Sequence, residues 1–394
     1  MERLAAAIRL IEHARYCCNA LLDGTPGHPI TDHRYWTTKL SIHPRYWTHD
    51  IITSPIVAAC LELGVDIAAV TRGANSLEQL CRFMNALDAA TPPVLTDNPA
   101  RKHIVEVPGC IDPIRYVGTR LHMTPAAFEP ETEWHDNGPD IYLHGSSADL
   151  QTTPFSDIDD FVILRRECWQ SVERFEHVAL RMATIARRFQ DIDRLQHHGH
   201  WVVTELNLMA YDETFLPLVV LDTAVRVVGR SRVNVNVQIN KSDFGKQIAI
   251  SASSIDRLIG IHRHTNALRA FDLKCLAGEV MLLPAKVFQF HGEITSKPNA
   301  ISRATEIFSP DAIAALEWAT RVRSEFGCLV DQPLSSLTKY RLARFCPRRI
   351  HAQKVMRSAS TLVTAYHSLG VSATVMAQIN AMRDESLNIC KGGR

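Results

Sequence analysis

The stretch that most constrains this chain is Asp140–Leu164, DIYLHGSSADLQTTPFSDIDDFVIL. It opens with an apolar run, Ile141-Tyr142-Leu143, turns at Gly145-Ser146, crosses a polar loop ending in Thr153-Pro154, and enters a second apolar run carrying Asp157-Ile158-Asp159. Side chains alternate across a strand, so Asp157 and Asp159 are expected on one side. Two carboxylates on one face repel unless a cation sits between them. A divalent metal held by oxygen ligands is the usual answer.

The rest of the chain sets the frame. Its 394 residues exceed one ordinary core, which predicts two or three domains. Hydrophobic residues at 46% and charged residues at 22% exclude a largely disordered chain. With 43 Lys+Arg against 42 Asp+Glu, the global balance does not select a nucleic-acid partner, so only local patches can. Its 10 cysteines form no C-x-x-C pair, and they read as reduced thiols in a cytoplasmic protein. The N-terminus lacks the unbroken apolar core of a signal sequence, and no window is apolar enough for a membrane span.

Taken in order, residues 2–22 read as an amphipathic helix stopped by Gly24-Thr25-Pro26-Gly27. Residues 28–50 carry a near-repeat, HRYWT at 33–37 and PRYWT at 44–48, read as aromatics pinning a loop to a core or as a stacking surface. Helices are expected at 51–63 and 77–89, short strands at 103–107 and 114–118, and a loop over 124–139. A helix over 166–196 precedes an alternating strand at 200–211. Pro217 opens another helix, 225–228 is an apolar exit, and from 236 the pattern is mostly helical. Expected there are helices at 253–272, 300–307, 310–325 (with Ser309 as its cap), 333–345, 348–369 and 372–387, with Gly370 as a C-terminal cap.

LHGSSA at 143–148 followed by SDIDDFVI at 156–163 resembles the DNA polymerase beta-like nucleotidyltransferase superfamily. That family combines a hydrophobic strand, a Gly-Ser turn opening a short helix, and a strand with Asp-x-Asp. The resemblance spans residues 140–229, under a quarter of the chain. It implies an α/β (α+β) nucleotidyltransferase core with a mixed sheet at 126–235, flanked by a mainly helical N-terminal region, 1–125, and a helical C-terminal domain, 236–394. It further implies transfer of an NMP from an NTP, ATP foremost, with release of pyrophosphate. Two Mg²⁺ ions would clamp the attacking and leaving oxygens.

On this resemblance Asp157 and Asp159 bind metal, and Gly145 and Ser146 hold the triphosphate through close backbone approach and helix N–H groups. A third carboxylate follows downstream. Glu205, in VVTELNL, is the candidate, with FLPLVVLDTAVRVVG as the expected follow-on; Asp222 is the alternative. The acceptor is expected to be a small molecule or protein rather than a membrane component. Transfer to RNA or tRNA ends, or a non-catalytic nucleotide-binding scaffold, are the alternatives. His197-His198-Gly199-His200 is a weaker metal candidate, since no nearby cysteines complete a tetrahedral set. The basic run from Lys339 to Arg357 reads as a solvated helix face or as a positive wall toward a polyanion.

Overall fold

The computed structural model describes residues 2–22, 55–71, 76–96, 101–117, 119, 122–128, 138–150, 152–238, 242–330, 334–346 and 349–392. The HRYWT and PRYWT segments and the Gly24–Gly27 stop lie outside these residues. Among the described residues the fold is mixed α/β, with small sheets among many helices and no barrel. Among the described residues no helix is long and apolar enough to cross a membrane.

Helix α1, Glu2–Leu22, buries Ala7, Leu10, Ile11, Ala14, Cys18 and Leu21, which recur at three- and four-residue steps. Helices α2, Pro55–Leu63, and α3, Ser76–Ala90, join it over one core that the sheet shares. Strand β1, Arg101–Glu106, forms a two-stranded antiparallel ribbon with β6, Arg232–Val237. The main sheet runs β4-β3-β2-β5, with β2 Asp140–His144, β3 Asp159–Leu164, β4 Trp201–Thr204 and β5 Val225–Val228. β2 is antiparallel to β3 and β5, and β3 is parallel to β4. A parallel pair needs a crossover, supplied by α4, Val172–Ile192, which Ser171 caps by accepting from Arg174 N–H.

Both faces of this sheet are covered. Ile141, Leu143, Val162, Leu164 and Val202 belong to the core shared with α1 and α4. Tyr142, Phe161, Ile163 and Val203 pack with the β1–β6 ribbon. Two-sided burial explains why these strands read as apolar runs rather than as alternating ones. The free edge of β4 is closed by one side chain. Asn19 Nδ2 donates to Val202 O at 3.1 Å and Val202 N–H donates to Asn19 Oδ1 at 3.2 Å, so the edge peptide has both partners.

The C-terminal part is a helical bundle of α5 Ser242–Thr265, α6 Ala270–Phe290, α7 Pro310–Glu325, α8 Arg349–Ala359 and α9 Ala373–Gly392. Ser309 caps α7 as expected, accepting from Ala312 N–H. Phe155 and Leu195, from loops at one end of the sheet, insert into the bundle core, and Phe155 meets Phe326 edge to face with centroids 5.3 Å apart. These insertions fix the sheet end against the bundle.

Several expected boundaries move for local reasons. Residues 113–116 form a 3-10 turn rather than a strand, with Asp112 accepting from Ile114 N–H across Pro113. The loop expected from 124 begins with a short helix, Thr124–Phe128. The strand expected over 200–211 stops at Thr204. Thr204 and Asn207 form a capping box that turns Glu205–Leu208 into one helical turn. Leu218–Leu221, after Pro217, is only a 3-10 turn. The helix expected to reach 369 ends at Ala359, and the β-branched run that follows becomes β8, Leu362–Thr364, paired with β7, Ala267–Arg269. Gly370 therefore caps no helix; a Cβ there would stand 2.0 Å from the Thr364 carbonyl, so the position admits only glycine.

The approach to β3 is held by Gln196, which is fully buried. Its Oε1 accepts from Ile158 N–H at 3.0 Å and its Nε2 donates to Ile158 O at 2.9 Å. Gln196→Ala should cost about 2–4 kcal/mol, since it strands both backbone groups of a buried peptide. Urea unfolding measures this; a loss below about 0.5 kcal/mol, the range of an ordinary surface change, would contradict the role.

Candidate functional site

The parallel register of β3 and β4 assembles the site. Phe161 pairs with Trp201 and Leu164 with Thr204. Extended backward, the same offset sets residue 197 beside Asp157 and residue 199 beside Asp159. The histidine run therefore lies against the Asp-x-Asp pair. His197 Nδ1 is 2.8 Å from Asp157 Oδ2, and His198 Nε2 is 2.8 Å from Asp159 Oδ1 and 3.9 Å from Asp157 Oδ2. His200 serves a different purpose: buried, it bridges Asp160 Oδ2 at 2.6 Å and the Met182 carbonyl at 2.7 Å, tying β3 to α4. Sequence reasoning gave the histidines little weight because it looked for cysteines; the parallel offset across a β-α-β unit is the signal that brings them in.

A cation reaches one of the two acids as a side chain, bridging Asp157 to Asp193 rather than to Asp159. Lys274, in the second turn of α6, is wholly buried; its Nζ donates to Asp157 Oδ1 at 2.8 Å and to Asp193 Oδ2 at 2.9 Å. Burial alone would raise the Asp157 carboxyl, but His197 and Lys274 hold it well below the ordinary carboxylate range. Asp159 likewise is burdened by burial, yet His198 draws it down to about 2. Burial opposes the charge of His198, and Asp159 with Asp157 overcomes it, raising the imidazole to about 9. Lys274 is raised against its burial by the two carboxylates it bridges.

The Gly145-Ser146 turn meets this cluster. Gly145 sits at φ 62°, ψ −151°, a region reserved for glycine, and a Cβ on it would lie 3.5 Å from Asp159 Oδ2. Cross-strand pairing sets His144 opposite Asp159. Ser147 locks the turn, its Oγ donating to His144 O at 2.8 Å and accepting from Asp159 N–H at 3.4 Å. The helix that follows is a single turn, Ser146–Asp149, so it offers first-turn N–H groups rather than a summed dipole.

Four of the expected site residues are thus brought together: Gly145, Ser146, Asp157 and Asp159. Glu205 is not among them. It lies past the opposite end of β4, more than five residue steps, or at least ~16 Å, from Asp159. There its Oε1 takes Arg230 Nη1 at 2.7 Å and its Oε2 accepts from Arg166 N–H at 3.0 Å, at the edge of a cleft of about 440 Å³. Asp222 is exposed at the end of the Leu218–Leu221 turn, beyond edge strand β5, and does not join either. The donors facing one another are two carboxylates and two imidazoles, which is not the three-carboxylate set expected for a pair of Mg²⁺ ions.

The basic run divides. Lys339, Arg341 and Arg344 are exposed on the helix Ser336–Phe345, as is Lys354 on α8. Arg349 is buried, and Arg357 pairs with Asp272 at 2.8 Å. α8 also supports the site, Gln353 Nε2 donating to the His197 carbonyl at 2.7 Å. Compared with protein-family models, curated proteins and solved structures, the chain matches none.

Two outcomes follow from this electrostatic arrangement. Lys274→Met strands two buried carboxylates and should destabilise the fold by about 3–5 kcal/mol in urea, with part recovered by adding Asp193→Asn; equal stability of Lys274→Met and the parent would contradict the bridge. In metal-free buffer, His198, raised from 6.5 to about 9, contributes stability that is complete below pH 6.5 and lost as pH rises through 9. Asp159, lowered from 3.8 to about 2, contributes stability present above pH 3.8 and lost as pH falls through 2. Urea midpoints should therefore fall between pH 6.5 and 9, and His198→Gln should flatten that alkaline limb.

Proposed function

We propose that the chain is a nucleotidyltransferase that moves an NMP from an NTP, ATP foremost, to a small-molecule or protein acceptor. The single observation that carries this reading is the glycine-only turn at Gly145, seated on the Asp159 carboxylate at the end of the same antiparallel hairpin. Such a turn lets a triphosphate approach the backbone beside a pair of acids. In the reaction the acceptor hydroxyl loses its proton to solvent and its oxygen bonds to the α-phosphorus as the bond from that phosphorus to the bridging oxygen of the β-phosphate breaks, and pyrophosphate leaves.

A divalent cation on Asp157 and Asp159 would supply charge neutralisation for the phosphates. The chain's own groups do the rest. First-turn N–H groups at Ser146 and Ser147 face the phosphate oxygens, and Lys274 holds Asp157 in place. Lys297 adds a nearby cation: burial and Arg323 lower its ammonium, while Asp159 and Asp157 act against them.

One observation favours a second reading. Lys274 already occupies Asp157, as a built-in counter-ion would in a scaffold that binds a nucleotide without turning it over. Incubation of the full chain with each α-labelled NTP, Mg²⁺ or Mn²⁺ and fractionated cell extract separates them. Label should move to a small-molecule or protein fraction, and Asp157→Asn with Asp159→Asn should reduce transfer by at least ~10³-fold, on the scale of removing an essential charged group. Tight NTP binding with no transfer to any fraction, RNA included, would establish the scaffold instead. Gly145→Val should abolish NTP binding, since it fills the approach and strains the turn.

A further inference from the structure

We infer that Asp157, His197 and His198 bind a single nitrogen-ligated transition-metal ion, Zn²⁺ in chemical class, rather than a pair of Mg²⁺ ions. The inference deepens the reading above, resting on it for the role of the ion but not for its binding.

The donor atoms are gathered already: one from each of Asp157, His197 and His198, all within 4.8 Å of one another. In a tetrahedral site with bonds of about 2.0–2.2 Å, neighbouring donors stand about 3.3–3.6 Å apart. Within this trio His197–Asp157 at 2.8 Å and His198–Asp157 at 3.9 Å straddle that value, and His198 also meets Asp159 at 2.8 Å. The two short contacts are hydrogen bonds, so a proton lies where an ion would bridge the same atoms. Shifts of about half an ångström, with release of those protons, convert one arrangement to the other.

The surroundings select which atoms are free to bind. His198 Nδ1 is 3.2 Å from the Gly199 carbonyl, an acceptor only, so Nδ1 keeps its proton and Nε2 is the nitrogen that binds once its own proton is released. Asp157 Oδ1 is taken by Lys274, which leaves Oδ2 as a monodentate ligand. Gln353 holds the His197 backbone through its carbonyl. One side of the cluster opens outward, the His197 side chain being 36% exposed, which gives the ion a path in and substrate a way to reach it.

Donor chemistry then chooses the metal. Two imidazoles and a carboxylate suit Zn²⁺, Co²⁺ or Mn²⁺ over Mg²⁺, which prefers an octahedron of oxygens and keeps its waters. Lys274 already neutralises Asp157 from its Oδ1 side, which disfavours two divalent ions.

Equilibrium dialysis of the chelator-treated full chain, without nucleotide, tests this. One equivalent of Zn²⁺ should bind at least ~100-fold more tightly than Mg²⁺. Co²⁺ should develop the intense visible absorption of a tetrahedral site. His197→Asn, at a partly exposed position that the fold tolerates, and His198→Ala should each weaken Zn²⁺ at least ~100-fold with circular dichroism unchanged. His177→Ala, on α4, should leave it unaltered. Absence of Zn²⁺ binding, Zn²⁺ affinity indifferent to His197→Asn, or tighter Mg²⁺ than Zn²⁺ would each overturn the inference. Zn²⁺ binding without nucleotidyl transfer sinks the functional reading alone, and Mg²⁺-dependent transfer without Zn²⁺ binding sinks this one alone.

Discussion

The structure turns on one buried ammonium. Lys274 joins Asp157, two residues ahead of β3, to Asp193, just past the end of α4, and it does so from the second turn of a bundle helix. A buried lysine is costly unless its charge is matched, and here two carboxylates match it. The same contact therefore docks the sheet on the bundle, fixes the loop that carries the acid pair, and neutralises part of that pair. Phe155 and Leu195 supply the apolar area around it. Remove the ammonium and the geometry loses its reason as well as its charge.

Around that bridge, polar side chains do the work that backbone pairing does elsewhere. Gln196 pairs with the Ile158 peptide, and Asn19 pairs with the Val202 peptide at the sheet edge. Both substitute a side-chain amide for a missing neighbouring strand, which a small mixed sheet of short strands needs at its margins. The result is a sheet end whose residues have fixed partners before any ligand arrives, which is the condition for a pre-organised site.

Much of this was legible in the sequence, and what was not has physical causes. The Gly-Ser turn and the Asp-x-Asp pair are local patterns, and local patterns survive folding: Gly145 has the backbone that only glycine takes, and it meets Asp159. Glu205 failed because a strand was extended through a capping box. Thr204 and Asn207 satisfy each other's backbone groups, so the alternation of Val203, Glu205 and Asn207 was coincidental. The histidines were visible but unplaced, since only the parallel register of β3 and β4 puts residues forty positions apart side by side. Lys274 could not be found from its surroundings in ALRAFDLKCLAGEV, where it reads as one of several scattered charges on a largely apolar helix; its partners are fixed only by the docking of loop on bundle.

The central claim is that the Gly145 turn and the Asp157–Asp159–His198 cluster form one nucleotide site. A crystal structure of the full chain with a non-hydrolysable ATP analogue and Zn²⁺ or Mn²⁺ tests it most directly. The account predicts the triphosphate between the Gly145-Ser146 turn and Asp159, with Nε2 of His198 moved off the carboxylate and onto the ion. A nucleotide lodged instead in the Glu205–Arg230 cleft, with the His198–Asp159 contact intact, would contradict it.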